Sequence, residues 1–207
     1  MKTKKTQYMA FMALFLAIQI LLVVTPLGYL PLGPIDATTM HIPVIVAAIV
    51  FGRKAGAQLG FVFGITSVLN ATFRPNITSF VFSPFVTVAG ISGNWTSLLI
   101  AIVPRILLGY FSGVLFEVLK KHRVNEQLCI ITASLAGAIT NTVLVLGGIY
   151  FFFGEAYAKA VHVAYEGLSA VLLGVVTTNG IAEAVLGAIA CLLIVKALAP
   201  FMKKYQK

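Results

Sequence analysis

Four side chains in this sequence combine polar chemistry with an unfavourable setting, each one lying inside a long apolar run. Arg105 follows Trp95 by ten residues in the run that Trp95 opens, and Glu183 sits well inside the last run. Asn179 precedes Glu183 by four residues, so on a helix both project from one face. Asn141, flanked by Thr140 and Thr142, falls about halfway along the fifth run. An ionised group at the centre of a membrane helix costs about 2.5–3.5 kcal/mol unless it is paired or hydrated, so these positions ask for a reason. Arginine presents a planar fork that can grip a carboxylate through two hydrogen bonds, and asparagine both donates and accepts. One reading is a pocket open to the outside and lined by helices four, five and six. The other is that Arg105 and Glu183 pair internally while the asparagines hold helices together.

Further candidates lie around these four. His41, beside Pro43 at the outer start of the second run, either borders the pocket or is a surface histidine. Trp95 and Asn70, near the outer ends of their runs, complete the set of expected substrate contacts. The loop over 74–94 contains Thr78-Ser-Phe-Val-Phe-Ser-Pro-Phe85, whose alternating aromatics suit a lid with an apolar underside or a segment anchored among lipid headgroups. No Gly-rich phosphate loop ending in Lys-Ser or Lys-Thr occurs, and no His-Glu-x-x-His. His41, His122 and His162 are scattered, and Cys129 and Cys191 lie in apolar runs without metal or redox spacing. The expectation is a protein with no catalytic residues, no cofactor and no metal, whose cysteines serve packing.

The elements that must carry these groups are membrane helices. The chain is 59% hydrophobic and only 10% charged across 207 residues, against roughly 25% charged in soluble domains. Too little polar material exists to cover a water-facing globule. At about 20 residues per crossing, six or seven spans would use most of the chain. Apolar runs occur at about 7–25, 38–52 (short), 55–73, 95–119, 127–153 and 169–202, separated by turn residues or basic clusters. The net charge of +9 sits in short loops and shows no basic face with interleaved aromatics, which argues against nucleic acid.

Orientation follows from the basic residues. Lys2, Lys4, Lys5, Arg53, Lys54, Lys120, Lys121, Arg123, Lys196, Lys203, Lys204 and Lys207 fall on one side, and only Arg74 and Lys159 on the other. Lys and Arg mark cytoplasmic loops, so both termini are expected to be cytoplasmic, with Asp36, Glu155 and Glu166 outside. The opening Lys2-Thr-Lys-Lys followed by an apolar run reads as a retained first helix, not a cleaved signal. The expected fold is all-α, a single bundle of six transmembrane helices over residues 1–207. Gly56, Gly60 and Gly64 in helix three, Gly109 and Gly113 in helix four, and Ala13 and Ala17 in helix one recur every four residues, a spacing that lets backbones approach closely. Ala10 stands one turn before Ala13.

Six helices, an inward N-terminus and Ala13-x-x-x-Ala17 resemble the S components of energy-coupling-factor (ECF) vitamin transporters. Leu30-Pro-Leu-Gly-Pro-Ile-Asp36, Val50-Phe-Gly-Arg-Lys-Ala-Gly56, Thr78-Ser-Phe-Val-Phe-Ser-Pro-Phe85 and Pro104-Arg-Ile-Leu-Leu-Gly109 add to the resemblance, which covers the whole chain and is closest to the pantothenate-specific branch. It implies a high-affinity binding subunit in a bacterial plasma membrane. Such a subunit captures a vitamin outside under loops one, three and five, then docks on a transmembrane coupling protein that carries two ATPases. Ala10, Ala13 and Ala17 match the docking face of that family. Glu183 fits a cationic or ring-bearing vitamin better than an anion, so S components for hydroxymethylpyrimidine, pyridoxine, riboflavin or folate are the rivals. A small proton-coupled carrier using Glu183 as its proton site, or a membrane scaffold without a pocket, are the readings from other classes. A carrier usually shows internal repeats, and none is visible here.

Overall fold

The computed structural model describes residues 2–30 and 37–206. Asp36 and the Pro-Gly-rich stretch before it lie outside the described residues. The chain forms α1 (Lys2–Val24), a two-residue ladder of β1 (Tyr29–Leu30) with β2 (Ala37–Thr38), α2 (His41–Phe51) and α3 (Arg53–Phe73). A 3-10 turn at Ser79–Val81 and a small hairpin of β3 (Thr87–Val88) with β4 (Ile91–Ser92) lead into α4 (Trp95–Lys121). α5 (Glu126–Ala160) follows, then α6 (Leu168–Val175) and α7 (Ile181–Gln206), joined through a π-helical turn at Val176–Gly180.

Helix boundaries follow local chemistry. Asn94 caps α4 by accepting from the Thr96 N–H at 2.8 Å, and Ser97 closes a reciprocal capping box. Lys120 and Lys121 in the last turn of α4 complement the helix dipole. Asn125 caps α5 in the same way. Gly52, with φ of +91°, makes the break between α2 and α3 in a conformation that side-chain-bearing residues avoid.

Among the described residues, five helical segments are long and apolar enough to cross a membrane: Thr6–Val24, Arg53–Phe73, Trp95–Lys121, Glu126–Ala160 and Tyr165–Pro200. The second expected span differs. α2 has 11 residues, which at about 1.5 Å each is only half a bilayer core. Every position from Pro43 to Val50 is buried, so α2 is the central pillar of the bundle and has no face for lipid. Val44, Ile45, Ile49, Leu59, Phe63 and Leu108 form the core around it. A second cluster, including Phe80, Ile100, Ile149, Tyr157 and Leu168, joins the 74–94 loop to α4, α5 and α6.

The glycine spacing is realised between α3 and α4. A methyl group on Gly56 would collide with the Gly109 backbone, one on Gly60 with the Arg105 carbonyl, and one on Gly64 with Ile102. Gly113 faces the Arg53 backbone in the same manner. Van der Waals packing drives helix association in lipid, so this contact fixes α4 against α3 at backbone distance. The alanines of α1 behave otherwise. Ala10, Ala13 and Ala17 are exposed, while Phe15 and Gln19 on the opposite face are buried. The Gln19 amide donates to the Leu59 carbonyl at 3.2 Å and ties α1 to α3. Cys129 and Cys191 are both buried and free, as packing residues would be.

Candidate functional site

Pro104 lies inside α4, so Arg105 is well within the helix, about 15 Å along its axis from Trp95. The residue is 6% exposed. Its guanidinium carbon stands 5.3 Å from the ring centroids of both Phe63 on α3 and Phe82 in the 74–94 loop. The two ring faces supply cation–π attraction. Nη1 donates to the Ile100 carbonyl at 2.7 Å. Nε is buried and has no partner among the described residues.

Glu183 is engaged elsewhere. Its Oε1 accepts from the Thr38 backbone N–H at 2.7 Å and so fastens β2 to α7. Among the described residues Arg105 and Glu183 form no ion pair, so the internal pairing that the sequence allowed is not what holds them. The pair that does form, Arg53 with Glu117 at 3.9 Å, lies at the α2–α3 break. Loop one is fastened on its other strand too, where the Tyr29 hydroxyl bonds with Thr66 and Ser67 on α3 at 3.2 and 3.3 Å.

Two adjoining cavities meet at Arg105. One, with about 50 Å³ of enclosed space, is lined by Arg105, Asn141, Thr142, Asn179, Glu183 and the apolar Val145, among others. The second, with about 40 Å³ of enclosed space, is lined by Tyr29, Ser67, Asn70, Asn76, Ser79 and again Arg105. Thr38 and Phe82 also belong to both walls. Asn141 is buried, and its Oδ1 has no partner among the described residues. Asn179 is carried by the π turn, a widened stretch of helix of the kind often found at functional sites.

The structure therefore gathers Arg105, Asn141, Asn179 and Glu183 around one space and Asn70 around the next. It does not bring in two of the expected contacts. Trp95 is 76% exposed at the start of α4 and lines neither cavity. Its place at the first turn, outside the packed surface of α3 and α5, leaves the indole facing the surroundings. His41 is neither a cavity wall nor a surface residue. It is 3% exposed at the start of α2, with Nε2 packed against Gly187 on α7.

The 74–94 loop is folded inward. Thr78, Ser79, Phe80, Val81 and Ser83 are buried, Phe82 lines the cavities, and Phe85 is exposed. The Ser97 hydroxyl holds it by donating to the Phe80 carbonyl at 2.7 Å. Ser67 and Thr142 were readable as neighbours of residues already singled out, Ser67 at helical spacing from Asn70 and Thr142 next to Asn141. Tyr29 and Thr38 carry no periodic signal, because they sit in a non-helical loop.

Comparison with known proteins agrees with this architecture. Residues 7–195 match the family model described as the ECF transporter, substrate-specific component. The chain is 35% identical over 201 residues to the pantothenic acid transporter PanT of Lactococcus lactis subsp. cremoris, covering 96% of each protein. It is 29% identical to the pantothenate transporter PanT of Leuconostoc mesenteroides subsp. mesenteroides, over 99% of this chain and 98% of that one.

Proposed function

The chain belongs to the substrate-specific components of ECF transporters, and from that premise we propose that it is the membrane-embedded binding subunit of a pantothenate importer. In this reading it captures the vitamin from outside and delivers it by docking on a transmembrane coupling protein that carries two ATPases. ATP hydrolysis falls to those partners.

One observation carries the substrate assignment. A buried guanidinium with an unpartnered Nε and a buried amide with an unpartnered Oδ1 face one space, at Arg105 and Asn141. A buried donor without a partner costs roughly 1–3 kcal/mol, so such a site is built to be completed by a ligand. Pantothenate has one carboxylate, one amide and two hydroxyls. The carboxylate suits Arg105, and Asn141, Asn179 and Asn70 suit the remaining groups. Glu183 does not oppose the anion, since its charge is partly spent on the Thr38 N–H. That engagement also weakens the case for a cationic vitamin. Calorimetric titration of the purified protein with pantothenate, pyridoxine and riboflavin is expected to show tight binding of pantothenate alone. Preference for either of the others would overturn the assignment.

We also propose six crossings, with β2 and α2 together completing the second. An odd number would put the basic residues of the two ends on opposite sides of the membrane, against the rule that Lys and Arg stay inside. Cysteines introduced at positions 3 and 206 are expected to react with impermeant reagents only after the membrane is opened. Labelling of either end in intact cells would exclude this topology.

A further inference from the structure

Resting on the carboxylate role of Arg105, we infer that Pro104 is a positioning residue, and that it acts through a backbone hydrogen bond it cannot make. In an uninterrupted helix the N–H of residue 104 would donate to the carbonyl of Ile100, four residues earlier. Proline has no N–H, so α4 leaves that carbonyl open at the depth of the cavity. In a membrane interior such a freed group has to find another donor. The donor it finds is the next residue's own side chain: Arg105 Nη1 reaches the Ile100 oxygen at 2.7 Å.

The consequence is directional. The side chain folds back along α4, and its guanidinium carbon lies over the rings of Phe63 and Phe82, 5.3 Å from each centroid. With Nη1 tied to the backbone and two rings packed against the group, the edge that carries Nε is left for an oxyanion, and Nε has no partner among the described residues. A flexible side chain is thereby reduced to one orientation before any ligand arrives, which cuts the ordering cost of binding. Gly60 supports the same arrangement from behind, because its bare Cα lets α3 lie against the Arg105 carbonyl. The proline is thus the source of the acceptor that aims the arginine.

The test separates the N–H from the ring. Pro104→Ala restores the donor, and the same position filled by the α-hydroxy acid analogue of alanine, through nonsense suppression, has the identical side chain without it. Pro104→Ala is expected to bind pantothenate about tenfold more weakly, the effect of losing one orienting hydrogen bond. It should bind the pantothenate amide as the wild type does. The hydroxy-acid variant is expected to keep wild-type affinity. Nuclear magnetic resonance of isotope-labelled arginine, without ligand, should show a slowly exchanging Nη proton in the wild type and the hydroxy-acid variant but not in Pro104→Ala. Equal losses in both variants would show that the ring shape matters and not the missing donor, and would overturn the inference. So would wild-type binding by Pro104→Ala. If the wild type itself ignored pantothenate while the Nη signal behaved as stated, the substrate assignment would fall and the positioning role would stand.

Discussion

Arg105→Ala is expected to weaken pantothenate binding tenfold to a hundredfold or more. The estimate comes from removing a charge-assisted bond of roughly 1.5–3 kcal/mol, at about 1.4 kcal/mol per decade. Arg105→Lys is not expected to restore it, since an ammonium presents no fork and cannot keep both the Ile100 carbonyl and a carboxylate satisfied in the same geometry. The amide analogue of the vitamin should bind the wild type poorly and lose little more in the Ala variant, and that non-additivity is the signature of direct contact. Glu183→Gln in the same chain should not rescue the loss, because Glu183 is bonded to Thr38 and not to Arg105. Titration of wild type and variants with acid and amide decides the matter. Equal loss for both ligands would remove Arg105 from the carboxylate site.

The second large effect concerns α1. Ala13→Trp or Ala17→Trp is expected to abolish transport while leaving the isolated protein's affinity for its substrate within about twofold, since neither alanine lines a cavity. Both alanines are exposed on the face of α1 that turns away from α3. In lipid, where apolar surface gains nothing by meeting apolar surface, association depends on how closely two backbones can come. An indole on that face holds a partner helix off without touching the pocket. Uptake into cells and co-purification with the coupling protein and ATPases give the two readouts. Unchanged complex formation by both variants would mean that these alanines are ordinary lipid-facing residues.

Much of this was legible in the sequence, for identifiable reasons. Apolar length and the scarcity of charge mark the long helices, and the four-residue glycine spacing marks the α3–α4 contact. Both are local, periodic signals. Asn179 and Glu183 share a face for the same reason. The depth of Arg105 was not legible, because Pro104 reads equally well as the start of a helix and as a residue inside one. That α2 is enclosed by protein was not legible, because its run is apolar throughout, and hydropathy does not separate lipid from protein as the surroundings. His41 was misjudged for a related reason: Gly187, which makes room for its ring, is far away in sequence on α7. The Thr38–Glu183 bond joins positions 145 residues apart, and no spacing rule reaches that far.

The backbone contact at Gly56, Gly60 and Gly64 divides the site into two halves that differ in mutational tolerance. On the α3–α4 side even one added carbon at these positions would run into Gly109, Arg105 or Ile102, so drift there would move the proposed anion grip itself. The opposite wall, where Thr142, Val145, Val175 and Gly180 meet, is set by side chains and a π turn. Side chains can be exchanged one at a time without shifting a helix axis. A bundle built this way could retain the proposed carboxylate anchor while the shape of the rest of its ligand is renegotiated on α5, α6 and the π turn. New specificities would then arise first among molecules that share the acid group and differ at the other end.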